Sequence, residues 1–259
     1  MIYGISKDML EVLDHDIPSN LHGSHVELNK SFGYCEFSRL LLVEKQDCPG
    51  CDDKRYAEFI TVHVLKKFNV FDKPWLCVPQ FKHIDFRSGK GGNDTYKFDF
   101  GFLKELPTSM EFLPYWLLEV NEGGHFKKKG KNYTYIIKPS DYLKWVFCIK
   151  NRIPLLFLNM PEIKKKVTLT PEQRDLIISD VNKILKRMRE YMHNRRILWR
   201  KTEFDEYFIK NFCDLPYKKI LLDKEEFEDY PHLIEPCLEL LSHYKRGQLK
   251  EYVREIYFQ

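Results

Sequence analysis

Two short segments with strand-like patterns, separated by a loop, are the feature that most constrains how this chain can fold. Residues 97–103 (KFDFGFL) alternate apolar and polar side chains, as a half-buried strand does. The alternation predicts one apolar face, made of Phe98, Phe100 and Phe102. Residues 116–124 (WLLEVNEGG) predict a second strand that ends at a pair of glycines. If the two strands pair as a hairpin across the intervening loop, their polar side chains converge.

The flanking segments extend this hairpin into an α/β core. A helix is predicted at about 54–68 and a strand at about 75–81. After the hairpin, a helix begins at Ser140 and leads into residues 153–159, an apolar run typical of a buried strand. The order helix, three strands, helix, strand over residues 54–159 therefore predicts an α/β fold.

The rest of the chain is predicted to be mostly helical. A helix begins at Thr170, with Thr as N-cap, Pro at the first helical position and Gln three residues after the cap. The expected organisation is an N-terminal segment at 1–53, a core at 54–166 and a helical C-terminal region at 167–259. No function is predicted for the residues after 203.

Composition excludes several classes of protein. Hydrophobic residues make up 43% of the chain and charged residues 31%, so it is not disordered throughout. Its apolar runs are far shorter than the roughly 18 residues that a membrane span needs. The first residues carry acids where a signal peptide has basic and then apolar residues, so we expect a soluble, cytoplasmic protein without a membrane partner. The odd number of cysteines, seven, predicts reduced thiols. The sequence does not indicate an oligomeric state.

Basic residues are concentrated in two places, although the formal net charge is only +4. One is KKKGK at 127–131, and the other is the segment 183–201, with eight basic residues and one acid. Two interpretations are open: solvated faces, or contacts to a phosphate backbone. The candidate nucleic-acid contacts are Lys127, Lys128, Lys129, Arg195, Arg196 and Arg200.

Polar residues of the predicted hairpin suggest hydrolytic chemistry. Asp99 lies on the polar face of the first strand, and Glu119 and Asn121 share one face of the second. Two carboxylates held together repel each other, and a hard divalent cation relieves that repulsion. His125 follows the glycine pair and could act as an acid or base in phosphodiester hydrolysis. The alternative is that the acids are exposed or paired with cations and that the histidine is structural.

The three runs KFDFGF, LLEVNEGGHF and SDYLKWVFCIKNRIPLLFL resemble the nuclease family related to the very-short-patch-repair endonuclease. That family includes the phage homing endonucleases of the EDxHD type. The resemblance covers roughly residues 30–160 and rests on the order and spacing of the motifs. It implies a restriction-endonuclease-like fold that cuts DNA with Mg²⁺ or Mn²⁺, in a bacterial host cell if the chain is phage-encoded.

The resemblance also implies roles for individual residues. Asp99 would bind the metal together with Glu119, and His125 would be a general base or a phosphate contact. The other implied members of the catalytic set are Glu58, Asp141 and Lys144. Two of these have simpler alternatives: Glu58 as a solvated helix residue, and Asp141, or its neighbour Ser140, as a helix cap.

The chain departs from the family pattern at Asn121, where relatives carry an acid. Asn121 could still offer an oxygen to the metal, or Glu122 could take the place of the missing acid. The chief alternative to a nuclease is therefore a catalytically inactive DNA-binding or host-interaction protein that keeps the fold. A nuclease acting on RNA is a third option, since the metal chemistry is shared.

A cysteine pattern upstream resembles the zinc-ribbon-like segment of the same relatives. Cys48 and Cys51 form a C-P-x-C motif, and Cys35 lies 13 residues before it. A structural Zn²⁺ site needs four ligands, and His22 or His25 could complete the set. A zinc site and a metal-free remnant of one are both open.

Overall fold

The computed structural model describes residues 25–29, 32–35, 40–42, 61, 76–87, 95–103, 114–163, 170–198 and 200–259. In these residues the protein is a mixed α/β structure with small sheets and several helices. None of the helices in these ranges is long and apolar enough to cross a membrane.

The elements follow one another in a mixed order. The strands in the described ranges are β1 (His25–Asn29), β2 (Phe32–Cys35), β3 (Leu40–Leu42), β4 (Leu76–Arg87), β5 (Thr95–Leu103), β6 (Trp116–Glu122), β7 (Phe126–Lys129), β8 (Asn132–Ile137), β9 (Leu155–Met160) and β10 (Ile220–Leu222). The helices are α1 (Pro139–Lys150), α2 (Pro171–Ile197), α3 (Lys201–Phe212), α4 (Lys224–Glu228), α5 (Pro231–Lys245) and α6 (Leu249–Tyr257), and a short 3-10 turn covers Gly123–His125.

The central sheet has the strand order β4-β5-β6-β9, and it confirms the predicted hairpin. β5 and β6 are antiparallel, with Phe100 opposite Leu118. β9 returns parallel to β6, with Glu119 opposite Phe157, because helix α1 lies between them as the crossover connection. Of the predicted helix at 54–68, the described part is the helical Thr61.

A second sheet, with the order β10-β8-β7, was not expected from the sequence. Two of its strands, β7 and β8, lie in the chain between the predicted strand at 116–124 and the predicted helix at Ser140. β7 and β8 form a tight hairpin in which Lys129 is opposite Asn132, and Gly130 takes the positive φ of 62° that this turn requires. β10 pairs in parallel with β8, so the C-terminal region that was predicted to be mostly helical also contributes a strand to this sheet. Strand β7 was not predicted because its three lysines are consecutive and exposed, so its side chains do not alternate between apolar and polar.

One part of the predicted alternation in β5 is wrong. Phe100 and Phe102 pack in the main core, whereas Phe98 packs in a second cluster with Phe81 and Leu117. The regular pairing of β5 with β6 covers Phe100–Phe102. At Asp99, bonds between side chains and backbone groups link the two strands in place of the regular backbone pairing. Phe98, one residue further, lies in the second cluster.

The main core joins the central sheet to the C-terminal helices. It contains Trp116 from β6, Trp145 from α1, Phe208 from α3 and Leu240 from α5, all at most 2% exposed. α2 packs against β9, and its N-terminus is capped as predicted. Thr170 Oγ1 accepts a hydrogen bond from the backbone N–H of Gln173, and Gln173 Oε1 accepts one from the backbone N–H of Thr170.

Candidate active site between the two sheets

The site starts where the pairing of β5 and β6 changes from backbone to side chain. Asp99 Oδ2 accepts a hydrogen bond from the backbone N–H of Val120 at 2.7 Å. The backbone N–H of Asp99 in turn donates to Glu119 Oε1 at 3.3 Å. The two carboxylates predicted to converge are therefore brought together by the strands themselves.

Lys144, from helix α1, reaches into this pair of strands. Its ammonium donates to both oxygens of Glu119, at 2.9 and 2.8 Å. Both side chains are nearly inaccessible to solvent, with 12% of Lys144 and 7% of Glu119 exposed. The ammonium also lies 5.4 Å from the centre of the Phe98 ring. Lys144 is thus a buried cation held by a carboxylate and an aromatic face.

Tyr135, from β8 of the second sheet, connects three of the predicted polar residues. Its hydroxyl lies 3.2 Å from Asp141 Oδ2, 3.4 Å from His125 Nδ1 and 3.4 Å from Asn121 Oδ1. The ring of Tyr135 is also stacked on that of His125, with 5.8 Å between centroids. Asp141 has a second role, because the same Oδ2 accepts from the backbone N–H of Lys138 at 3.0 Å and caps α1.

Asn121 is held by its whole amide group. Its Nδ2 donates to Asn159 Oδ1 at 2.9 Å, and Asn159 Nδ2 donates to the carbonyl of Pro216 at 2.7 Å. These bonds direct the Asn121 oxygen toward Tyr135. Asn121, the position at which the sequence resemblance implies an acid, is therefore a fully buried amide that links β6, β9 and the loop before β10.

The carboxylates and the lysine change one another's protonation. Burial raises the pKa of Glu119, an effect that Lys144 opposes and Asp99 strengthens. Burial by itself would lower the pKa of Lys144, but the negative charges of Glu119, Asp99 and Asp141 outweigh it, and the pKa of Lys144 is raised. The pKa of Glu122 is also raised, by burial and then by Asp99. All three shifts favour bound protons: burial is the main cause for the two acids, and the neighbouring carboxylates are the cause for Lys144.

The histidine and the tyrosine respond mainly to burial. Burial lowers the pKa of His125 below its ordinary value of 6.5, against the opposing pull of Asp141 and Asp99. Burial followed by the charge of Asp141 raises the pKa of Tyr135 well above 10. At neutral pH the site thus holds a neutral imidazole beside a protonated phenol.

A small cavity of about 10 Å³ lies inside this cluster, close to the minimum for one water molecule. Glu119, Lys144 and Trp145 are among its lining residues. The indole Nε1 of Trp145 is buried without a hydrogen-bond partner in the described part of the chain. The cavity is therefore lined by an acid, a cation and an aromatic side chain.

The structure brings together most of the predicted catalytic residues. These are Asp99, Glu119, His125, Asp141 and Lys144, supplied by β5, β6, the 3-10 turn and α1. Glu58 lies outside the described residues. Across the described ranges, no group of three or more His, Cys, Asp or Glu side chains is arranged to hold a metal ion.

The candidate zinc residues lie mostly outside the described ranges, among them Cys48, Cys51 and His22. The backbone pairs His25 in β1 directly opposite Cys35 at the end of β2. Two of the residues considered for that site therefore occupy neighbouring positions on one hairpin.

The predicted nucleic-acid contacts fall on two separate surfaces. Lys127, Lys128 and Lys129 are exposed along β7. Arg195 and Arg196 lie in the last turn of α2, and Arg200 precedes α3. Arg195 packs over the ring of Tyr115 at 4.4 Å and donates to the hydroxyl of Tyr191 at 3.1 Å, so it has a structural role.

Sequence reasoning missed Tyr135, Asn159 and Pro216. A signal for Tyr135 was present, since residues 132–137 (NYTYII) follow a glycine turn with alternating aromatic residues. Asn159 ends the predicted buried strand and could have been noted as a polar residue in an apolar run. Nothing in the local pattern marks Pro216, because its contribution is a backbone carbonyl.

No protein-family model matches this chain, and no curated protein or solved structure matches it either.

Proposed function

We propose that the protein is a divalent-metal-dependent endonuclease that hydrolyses phosphodiester bonds in DNA. The observation that carries this proposal is the convergence of Asp99, Glu119 and Lys144, with His125 linked to the same cluster through Tyr135. Acids, a cation and a neutral histidine at one point are the groups that phosphodiester hydrolysis requires.

The charge balance supports a metal ion. The carboxylates of Glu119, Asp99 and Asp141 each raise the pKa of Lys144, and the charge of Asp99 also raises the pKa of Glu119. A hard divalent cation would relieve the remaining repulsion, and carboxylate oxygens are the donors that Mg²⁺ and Mn²⁺ prefer. Asp99 and Glu119 would hold the ion, which would supply polarisation of the phosphoryl oxygen.

Lys144 has the position and charge to stabilise the transition state. It is the only described cation bonded to Glu119, and its ammonium lines the cavity. An ammonium in a site with little water stabilises the negative charge that develops on phosphate oxygens more strongly than it would in bulk solvent. Burial between the strands and α1 also keeps it in one place.

His125 is suited to be the general base, and Tyr135 sets its orientation. The phenol has one proton, and its shortest contact is to Asp141, so that proton points to the carboxylate. The Tyr135 oxygen then accepts from Nδ1–H of His125, which leaves Nε2 as the atom that takes a proton from water. The lowered pKa of His125 keeps the imidazole neutral for this role.

A specific observation favours the second candidate, an inactive DNA-binding protein. Lys144 binds both oxygens of Glu119, and Asp99 Oδ2 already accepts from Val120. In a catalytically inactive protein, Lys144 would serve as a permanent counter-ion for the buried acids. The two candidates differ in whether the carboxylates exchange these partners for a metal.

Nicking of supercoiled plasmid with and without Mg²⁺ or Mn²⁺ separates the two. We expect metal-dependent nicking that is lost in Asp99→Asn and His125→Ala. Asp205→Asn is the matched control, because it removes an acid of a buried ion pair away from the cavity and should leave nicking intact. Circular dichroism verifies that each variant is folded.

Wild-type protein that binds DNA but leaves it uncut with either metal would support the inactive candidate. Equal nicking by wild type and Asp99→Asn would exclude this site as the source of the activity. Parallel reactions on RNA of the same sequence test the choice of DNA.

A further inference from the structure

An open groove of about 910 Å³ lies next to the candidate active site. It is bounded by helix α2, by the turn of the β7–β8 hairpin and by the loop that leads into β10. Its basic lining residues are Lys131, Lys183, Arg187, Lys218 and Lys219. Lys131, Lys183 and Arg187 belong to the two basic segments at 127–131 and 183–201, although none of the three is among the individual nucleic-acid contacts predicted there.

The positive charge of the groove exceeds what its own acids neutralise. The groove is lined by five basic and two acidic side chains, a net charge of +3. Both acids are paired: Asp180 with Lys183 at 2.7 Å, and Asp214 with Arg187 at 3.5 Å. Focused positive charge in a concave surface attracts a polyanion.

The groove also contains aromatic side chains. Tyr133, Tyr217 and Tyr244 are half-buried in its wall, and Phe157 lies half-buried where it approaches β9. Aromatic faces combined with a basic groove are typical of proteins that bind single strands, because unpaired bases can stack on the rings. A duplex keeps its bases inside and offers little to such rings.

The groove lies directly beside the candidate active site. Phe157, Leu215 and Pro216 line both the groove and the small cavity that is also lined by Glu119 and Lys144. A polynucleotide lying along the basic wall would therefore pass next to the carboxylate–lysine cluster.

We propose that this groove binds single-stranded DNA and delivers its backbone to the site between the two sheets. The inference rests on the proposed nuclease function and adds the form of the substrate. Lys183, Lys218 and Lys219 contact phosphates, and the tyrosines stack with bases. The preferred substrates are single strands, flaps and unpaired regions.

The test measures binding separately from cleavage. The probe is a fluorescein-labelled 24-nucleotide DNA of mixed sequence, measured by fluorescence anisotropy in EDTA, and the same sequence annealed to its complement is the duplex probe. The groove variant is Lys183→Ala/Lys218→Ala/Lys219→Ala.

The control variant is Lys186→Ala/Lys210→Ala/Lys224→Ala, which makes the same change in net charge. Lys186 is well matched to Lys183, because it lies one turn further along α2, is similarly exposed and also has an acid one turn away, but does not line the groove.

We expect the wild type to bind the single strand more tightly than the duplex. The groove variant should lose roughly tenfold in affinity at about 100 mM salt, and its dependence of log K on log salt should flatten by up to about 2. Tyr133→Leu should weaken single-strand binding by roughly fivefold while changing duplex binding little. The control variant should bind like the wild type.

Equal loss in the groove and control variants would overturn the proposal, and so would tighter binding of the duplex. The experiment distinguishes a wrong proposal about the groove from a wrong proposal about nuclease activity. Groove-dependent binding without cleavage in Mn²⁺ would refute the activity alone. Metal-dependent cleavage of single strands that is unchanged in the groove variant would refute the groove alone.

Discussion

Two acid–base pairs with little solvent access involve residues in or just after helix α1, and they differ in their surroundings. Lys144 within the helix binds Glu119 of the central sheet. Arg152, just after the helix, binds Asp205 of α3. Both pairs have little solvent access, so burial alone does not distinguish them.

The Arg152 pair is balanced and structural. The guanidinium donates from Nε and Nη2 to the two oxygens of Asp205, and it stacks over the Phe258 ring at 4.5 Å. Its backbone has a positive φ of 55°, where glycine is the usual residue after a helix. An arginine at this position indicates that the side chain is needed, and its contacts join α1 to α3 and to the C-terminus.

The Lys144 pair is not balanced. Asp99 and Asp141 add negative charge around one ammonium, and the pKa values of Glu119 and Lys144 are both raised. The comparison supports a structural role for the first pair, and the second pair, with further acids beside it, is the one to which the proposed function gives a role in chemistry.

The largest expected effect is on stability and comes from removing the cation of each pair. Lys144→Met leaves buried carboxylates without a counter-ion and should lower the free energy of unfolding by about 3–5 kcal/mol. Because Mn²⁺ can replace the lost charge, millimolar Mn²⁺ should raise the melting temperature of this variant more than that of the wild type. Thermal denaturation followed by circular dichroism measures both effects.

Arg152→Met is the control for this experiment. It should also destabilise the protein, yet its melting temperature should respond to Mn²⁺ no more than the wild type does. Identical responses of the two variants would remove the distinction between the pairs.

A smaller effect is expected from Tyr135→Phe, which removes only the hydroxyl between His125 and Asp141. Nicking should slow by about tenfold, or about 1.4 kcal/mol, because His125 loses the partner that orients it. The melting temperature should also fall, because Asn121 and Asp141 lose a buried hydrogen-bond partner. Tyr191→Phe is the matched control, since it removes a buried hydroxyl bonded to the carbonyl of Arg152 and should leave the rate unchanged.

The smallest effect is on the pH dependence of nicking. A general base works in its neutral form, so the rate should rise with pH through the pKa of His125. Burial lowers that pKa, which places the midpoint of the rise below pH 6.5. His193→Gln, at an exposed position in α2, should leave the profile unchanged. A rate that falls as the pH rises would mean that His125 acts as a cation, and a rise with its midpoint above pH 6.5 would contradict a lowered pKa of His125.

The local pattern of the sequence predicted the elements that form by local rules. The strand pairing of 97–103 with 116–122, the helix after Ser140 and the capping box at Thr170 are confirmed. The prediction failed for β7 and β10, where exposed lysines and a strand of three residues carry no periodic signal. It also failed for the face of Phe98, because side-chain bonds at Asp99 interrupt the pairing.

By itself, the sequence determined that Asp99 and Glu119 converge, because a two-residue period and an antiparallel hairpin place them side by side. The tertiary structure alone decided what surrounds them. Lys144 is supplied by a helix and Tyr135 by a second sheet, and the basic groove is formed by segments more than 80 residues apart. Such contacts depend on how whole elements pack, and no local pattern encodes that packing.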